Sequence, residues 1–267
     1  MANRLLLSLI VTTGLFCAGQ VRADVADVLP VGDLERWAAF SLGLNGVGDR
    51  LLGDAIVQGD FGAAGISRLA LTTDSWVQGD IYYRRTGIVR MGQGSGTTGT
   101  MQRDQDVLLK QDTDAALNLS RAAGALASTR NYTNIKLEGS DSLNLSGAPG
   151  ETVVLNLGAF AMTGNSLLTL TGTATTSFVI NVNRSFSLAS AAQIVLSGVD
   201  WNDVIFNVRG RGAQVQISGT ATFQGILLAT RRTVRLRDSA LVRGEVIADA
   251  LMMQGLARID HPPVVSP

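Results

Sequence analysis

Short apolar runs recur in the second half of the chain, and positions within each run alternate. Five-residue runs begin at Val153, Phe178, Val204, Gly225 and Gly244. First, third and fifth positions of an extended strand share one face, which predicts an interior-facing set. The opposite face is also apolar, with Val154, Val179, Ile205 and Ile226. Because a parallel wall that is apolar on both sides needs a cover, we expect another element to pack on it.

The runs belong to a repeat. Each run begins eight residues after a short turn-like segment, and these segments start at Leu145, Leu170, Leu196, Ile217 and Leu236. Earlier, the residues 57–60 (Val-Gln-Gly-Asp) recur as 77–80, a shift of 20 residues. A period near 20 residues with short β-rich runs predicts a mainly β fold, a parallel β-helix or solenoid with one coil per repeat. The alternative is an antiparallel sandwich, which should show hairpin dipeptides such as Asn-Gly or Asp-Gly between adjacent strands. The only such pair in the sequence, Asn45-Gly46, lies outside the repeats.

One segment departs from the β pattern. Residues 101–128 contain no proline and no glycine before Gly124, which predicts a long α-helix packed alongside the coils. An apolar stripe follows three- and four-residue steps through Leu108, Ala115, Leu119, Ala122 and Leu126. We expect this stripe to cover the outer apolar wall.

Asparagines align on the same outer face of the wall, at Asn156, Asn181 and Asn207. Side-chain amides that repeat in register can stack and bond to one another. Since buried polar groups need partners, we interpret the three asparagines as a structural ladder and not as a functional site.

The first residues have the three-part pattern of an export signal. Arg4 precedes an apolar run, and Val21-Arg22-Ala23 lies ahead of Asp24. We predict a secretory signal peptide over residues 1–23 and a single β-helix domain over residues 24–267. The expected location is secreted, extracellular or at the cell surface, and the mature chain has no other stretch long enough to span a membrane.

Composition limits the chemistry. Of 267 residues, 22 are basic and 22 acidic, so the formal charge is zero and gives no reason to expect nucleic-acid binding. Cys17 and His261 are the single cysteine and histidine. Most thiol, metal and Ser-His-Asp sites need residues that this chain lacks. We therefore predict that the protein is not an enzyme, with no catalytic, cofactor-binding or metal-binding residues and no cofactor.

The most specific stretch is Trp201–Val208, followed by residues 215–219, 223–229 and 244–248. With the position of the helix, these motifs make the chain similar to the ice-binding-like β-helix. In particular, residues 32–262 resemble the adhesive domain of choice-of-anchor A bacterial surface proteins. The resemblance implies adhesion to a surface or matrix. Members of that family usually end in a sorting or membrane anchor, which residues 261–267 do not resemble.

Three functions remain open. The first is a secreted adhesive or structural protein whose partner is an extracellular glycan, a matrix protein or a second copy of the chain. The second is ice binding, suggested by threonines at 163, 169, 171, 173, 175 and 176. The third is a polysaccharide-cleaving β-helix enzyme, which would need paired carboxylates or a carboxylate-bound cation beside a base. The repeat register places only opposite charges next to Asp203 and Asp249, so neither is part of a carboxylate pair. Such opposite-charge neighbours are typical of a solvated wall.

Two charged clusters each allow two interpretations. Arginines concentrate at positions 209, 211, 231, 232, 235, 237 and 243, where they either bind acidic polysaccharide or lie on solvated turns. Arg211 aligns with Arg232 one coil later. The second cluster contains Asp60, Asp80, Arg84 and Arg85 near Trp76, Tyr82 and Tyr83, and either grips a sugar or seals the end of the stack.

Overall fold

A computed structural model describes residue 29, residues 32–65 and residues 68–263. The predicted signal peptide over residues 1–23 lies outside these described residues. The strands are β1 (Trp37–Ser41), β2 (Asp49–Leu52), β3 (Ile56–Gln58), β4 (Asp60–Ala63), β5 (Arg68–Thr72), β6 (Trp76–Gln78), β7 (Ile81–Tyr83), β8 (Ile88–Met91), β9 (Gly96–Thr97), β10 (Met101–Gln102), β11 (Asn134–Leu137), β12 (Ser142–Ser146), β13 (Thr152–Met162), β14 (Leu167–Thr171), β15 (Ser177–Leu188), β16 (Gln193–Ser197), β17 (Val204–Val208), β18 (Val215–Ile217), β19 (Thr222–Leu236), β20 (Leu241–Gln254) and β21 (Arg258–Asp260). The α-helix is α1 (Asp106–Ala125), and 3-10 turns span Gly32–Arg36 and Trp201–Asp203. The expected mainly β fold with one long helix is confirmed.

The strands form three walls, each a ladder of parallel pairs. Wall A contains, in stacking order, 153–157 of β13, 178–182 of β15, β17, 226–228 of β19, 245–248 of β20, β1, β4, β7 and β10. Wall B contains β11, 159–162 of β13, 185–188 of β15, β18, 234–236 of β19, 250–253 of β20, β2, β5 and β8. Wall C contains β12, β14, β16, 222–224 of β19, 241–243 of β20, β21, β3, β6 and β9. We call one circuit through the three walls a coil.

The predicted register of wall A is correct. Residues 153–157, 178–182 and 204–208 lie directly on one another in parallel. The earlier repeat is also in register, because Val57 pairs with Val77 and Gln58 with Gln78.

The repeat template is wrong for its last two members. Leu145, Leu170 and Leu196 stack on wall C. Ile217 and Leu236, however, stack on each other on wall B. The wall C segment shortens in these later coils, and Gly225 and Gly244 (φ 128° and 136°) turn the chain directly from wall C into wall A. The eight-residue step to wall A therefore starts on wall C in the first three copies of the repeat and on wall B in the last two.

Chain order and stacking order differ. The first coil in the sequence stacks on the last one, because β1 and β2 pair with β20, and β3 pairs with β21. The coils before α1 thus sit on the last coil of the chain. The helix returns the polypeptide along wall A to the opposite end of the stack, where residue 130 bridges to Leu155.

The helix is shorter than predicted. Residues 101–102 form β10 and pair with β7, so α1 begins at Asp106 and not at 101. It ends at Ala125 because the backbone amide of Thr129 already donates to the Val154 carbonyl in wall A. Its 20 residues measure about 30 Å.

The buried face of α1 is rotated from the predicted stripe. Its buried residues are Leu109, Asp112, Thr113, Ala116, Leu119 and Ala123. Of the predicted stripe, only Leu119 is fully buried, and the other four residues are half-buried at the edges. Two polar side chains cause the difference, since Asp112 accepts a bond from Trp37 Nε1 and Thr113 bonds to the Leu109 carbonyl.

Two hydrophobic cores lie on either side of wall A. The inner core fills the coils and contains a row of rings from Phe160, Phe186, Phe206 and Phe223 with centroids 5.0–6.2 Å apart. The outer core lies between α1 and wall A and buries Val154, Val179, Ile205 and Ile226, as the two-sided apolar pattern required.

Candidate functional site

Walls B and C carry no covering element in the described structure. A central outward column of wall B consists of Lys136, Ala161, Ser187, Gln216, Arg235, Met252, Arg50, Ala70 and Arg90. The corresponding column of wall C consists of Asn144, Thr169, Val195, Gln224, Arg243, Asp260, Gln58 and Gln78. The chemistry changes from coil to coil, so each wall is flat and continuous but not a repeat of one side chain.

The threonine cluster is partly a structural turn. Thr173, Thr175 and Thr176 bond to one another around a corner, with hydroxyl oxygens 3.0–3.3 Å apart. Thr176 is fully buried and donates to the Ala148 carbonyl. Thr171 lies on wall C beside Ser197, whereas Ser218 and Arg237 directly follow the wall B pair of Ile217 and Leu236. A threonine column across coils is therefore absent from walls B and C of the described chain.

The asparagine ladder forms as predicted. Asn207 Nδ2 lies 2.7 Å from Asn181 Oδ1, and Asn181 Nδ2 lies 2.9 Å from Asn156 Oδ1. The amide groups also donate toward the helix: Asn207 bonds to the Ser120 carbonyl and Asn181 to the Ala123 carbonyl in α1, and Asn156 bonds to the Leu126 carbonyl just beyond it. The ladder ends at Asn207, because its partner in the next coil is Leu228, which has no amide to donate. The Ser120 hydroxyl donates to Asn207 Oδ1 in place of a further asparagine.

Two carboxyl groups, those of Asp49 and Asp249, form hydrogen bonds across the junction between the first and last coils. Asp49 accepts the backbone N–H of Leu251 at 2.8 Å. In the reverse direction Asp249 accepts the backbone amides of Leu44 and Asn45 and the Asn45 side chain. Burial raises the pKa of Asp49 to about 7, with a further rise from nearby Asp249, although the Leu251 bond opposes both. The interpretation of Asp203 and Asp249 as solvated wall residues is wrong, because both are buried.

Another buried carboxyl lies beneath α1. Glu245 occupies an outward position of wall A, next to Ile226 in the neighbouring coil, and neither carboxylate oxygen has a hydrogen-bond partner. Burial raises its pKa well above the ordinary value, and Glu35 and Asp112 raise it further. Register could have found this residue, since Glu245 interrupts an otherwise apolar outward row.

The C-terminal arginines differ in burial. Arg232 is buried, and its guanidinium donates to the carbonyls of Gly210, Arg184, Ala213, Asn183 and Arg209. Arg211 and Arg231 are exposed, so Arg211 does not share the buried environment of Arg232. Burial lowers the pKa of Arg232. The solvated-turn interpretation therefore fails for this residue.

The aromatic and charged cluster lies near the end of the stack. Asp80 Oδ1 accepts the Thr100 backbone N–H, and Asp60 Oδ1 accepts the Asp80 backbone N–H at 2.8 Å. The Arg85 backbone N–H donates to Asp106 at the start of α1. These bonds join the three coils that contain residues 60, 80 and 100 to one another and to the helix, which favours the sealing interpretation over a sugar grip.

His261 packs edge-on against Trp201 with ring centroids 5.1 Å apart. Burial lowers its pKa. Among residues 29, 32–65 and 68–263, no cluster of His, Cys, Asp or Glu could hold a metal ion. The helix found there lacks the length and apolar character of a membrane span.

Solved structures show the same fold. The ice-binding protein of the Antarctic ascomycete Antarctomyces psychrotrophicus matches with a TM-score of 0.56 and 16% identity, covering 88% of this chain and 98% of that chain. A glycosylated ice-binding protein from an Arctic yeast matches with a TM-score of 0.58 and 18% identity, covering 90% and 96%. The DUF3494 domain of Shewanella frigidimarina ice-binding protein 1 matches with a TM-score of 0.52 and 14% identity, covering 89% and 98%.

Comparison with curated protein sequences finds no significant match. Residues 39–257, however, match the model of a sequence family described as an ice-binding-like adhesive domain. The match extends from β1 to beyond β20 and includes every coil on both sides of the junction. The resemblance seen in the sequence is thereby confirmed, and the chain belongs to the ice-binding-like adhesive domain family.

Proposed function

We propose that this protein is an exported, non-enzymatic adhesive protein, built as a β-solenoid with a flanking helix, that contacts a surface through walls B and C. The observation that carries the proposal is the contrast between the walls. Wall A is covered by α1, whereas walls B and C stay open and present mixed charged, amide and small side chains. Such a surface suits binding to glycan, matrix protein or another copy, and the family description supports adhesion.

Retention of the purified protein on producing cells and on extracellular polymers tests the proposal. We expect retention by the wild type and a loss of at least about threefold in one of two variants with a long cation on an open wall, Ser187→Arg on wall B or Thr169→Arg on wall C. Gln111→Arg on the solvent side of α1 is the matched control and should bind like the wild type. Absence of binding to cells, to polymers and to itself would overturn the adhesive function. Equal binding by all variants would overturn the assignment to the walls.

Ice binding is the second candidate, supported by the shared fold with ice-binding proteins. The changing side chains along walls B and C argue against it, because a regular lattice is matched best by a regular array. We therefore expect no thermal hysteresis and no shaping of ice crystals by the folded protein. Clear hysteresis that Ser187→Arg or Thr169→Arg abolishes would replace adhesion with ice binding.

A further inference from the structure

A cleft of about 240 Å³ lies between the second half of α1 and the corner where walls A and B meet. Arg121 lines it from the helix, and Arg209 and Arg231 line it from two successive coils. Three arginines from three separate segments thus line one opening. We call this set the arginine cleft.

The positive charge of the arginine cleft is not offset by an ion pair, because within the part of the chain that the structure describes Arg121, Arg209 and Arg231 make no salt bridge. Segments 115–128, 182–189, 208–217 and 229–237, which hold the lining residues and the adjoining corners, contain no Asp or Glu. In the next coil the same corner holds Asp249, but its carboxylate is buried and accepts the backbone N–H groups of Leu44 and Asn45. Exposed arginines are usually interspersed with acids on a solvated surface, so this corner has a locally unbalanced positive potential.

A buried arginine holds the cleft in shape. Arg232 lies behind it and bonds to five backbone carbonyls, on the corners that carry Arg184 and Arg209. A buried cation without a carboxylate is expensive, and here only carbonyl dipoles compensate it. Its charge adds to the potential of the cleft while its bonds fix the two corners.

The lining arginines are also partly oriented. Arg209 Nη1 donates to the Gly124 carbonyl at 3.1 Å, and its guanidinium packs on that glycine, where a Cβ would come within 2.6 Å of Cζ. Arg121 Nη1 donates to Asn118 Oδ1 at 2.8 Å. Each group retains further N–H donors for an oxyanion, and arginine matches carboxylate and sulfate groups well.

We propose that the arginine cleft binds the carboxylate or sulfate groups of an acidic polysaccharide. The inference rests on the proposed adhesive function and names the class of its partner. Successive coils lie about 4.8 Å apart, which is close to the length of one sugar ring, so Arg209 and Arg231 can engage neighbouring units of a chain. No residue that lines the cleft is aromatic, whereas proteins that bind single-stranded nucleic acid stack bases on aromatic rings.

Equilibrium binding to alginate, to dextran sulfate and to neutral dextran of similar length tests the proposal. We expect binding to one or both acidic polymers, none to dextran, and a loss of about tenfold or more in Arg121→Glu/Arg231→Glu. Arg103→Glu/Lys110→Glu changes the charge equally at exposed positions away from the cleft and from walls B and C, and should lose less than about threefold. Arg121→Gln/Arg231→Gln provides a milder second variant if the first folds poorly, as judged by its thermal midpoint.

The outcomes separate the two proposals. Equal losses in the cleft variant and in the Arg103→Glu/Lys110→Glu control, or equal affinity for duplex DNA and the acidic glycans, would overturn the cleft as a glycan site. Loss of glycan binding with cell retention intact would leave adhesion standing and remove only the acidic partner. Failure to bind any cell or polymer would overturn adhesion itself.

Discussion

Asn181 Nδ2 lies 2.8 Å from the carbonyl oxygen of Ala123 in the last turn of α1. The contact recurs because Asn207 and Asn156 bond to carbonyls three residues before and after Ala123. Three helical residues rise about 4.5 Å, and adjacent coils lie about 4.8 Å apart. The helix and the stack therefore share a common repeat distance. The ladder adds a donor to the Ala123 carbonyl, which also accepts the Leu126 backbone N–H at 3.3 Å.

Replacement of the central ladder residue should cost much of the stability. Asn181→Ala removes one of the two donors to the Ala123 carbonyl and leaves Asn156 Oδ1 and one Asn207 hydrogen without partners, for about 2–4 kcal/mol. Urea unfolding followed by circular dichroism measures the loss. Asn183→Ala, at an exposed position of the same strand, is the control and should cost less than about 0.5 kcal/mol. A similar cost for both substitutions would show that the ladder contributes nothing.

Stability should fall as pH rises from 4 to 7. The pKa of Asp49 is about 7 when folded and near 3.8 when unfolded, so the folded state holds a proton that the unfolded state has lost. The shift corresponds to about 4 kcal/mol, fully present below pH 4 and lost above pH 7. Asp49→Asn should flatten this slope in urea titrations, whereas Asp54→Asn at an exposed site should not. His261 acts in the opposite direction, since its lowered pKa costs stability as pH falls below 6.5.

Removal of the buried acid under the helix should stabilise the protein. Glu245→Gln keeps the shape but carries no charge, and we expect about 1–3 kcal/mol more stability at pH 8. At pH 4 the gain should shrink, because burial already keeps Glu245 protonated in the folded state. Thermal unfolding at both pH values measures the difference. A gain of equal size at both would contradict the electrostatic explanation.

The glycine corner between walls C and A should not tolerate a side chain. A Cβ on Gly244 would lie 2.2 Å from the Gly225 carbonyl oxygen, in addition to the cost of its positive φ. Gly244→Ala should therefore destabilise by about 3 kcal/mol or more. Gly46→Ala shares a positive φ but meets nothing within 4 Å, and should cost only about 1 kcal/mol. Chemical denaturation of both variants separates backbone strain from the clash.

The sequence predicts periodic features well and pairings between distant segments poorly. Alternation within residues 153–157, 178–182 and 204–208 predicts wall A and its two apolar faces, and the asparagine ladder follows from the same register. Residues 101–102 look helical, but pairing with β7 makes them a strand, which local pattern cannot show. Asp112 faces inward because Trp37 offers a donor, and 75 residues separate the two in sequence.

The candidate site divides in the same way. Composition identifies the arginine-rich segments, but the sequence places Arg211 and Arg232 together, whereas the structure exposes one and buries the other. The part played by Arg121 depends on where α1 lies against the coils, and that position is a tertiary property. Asp49 and Asp249 are 200 residues apart, so their reciprocal bonds follow only from the stacking order.

The stacking order also dictates when folding can finish. β1 emerges early in synthesis, yet its partner in β20 is made some 200 residues later. Until then the coils made first expose an unpaired strand edge, which is a template for pairing with other chains. Contacts of such long separation are slow to form. We therefore expect the chain to stay unfolded or partly folded, with this strand edge shielded from other chains, until synthesis is nearly complete. The native stack forms only when the last coil, which lies between the coils before α1 and those after it, has been made.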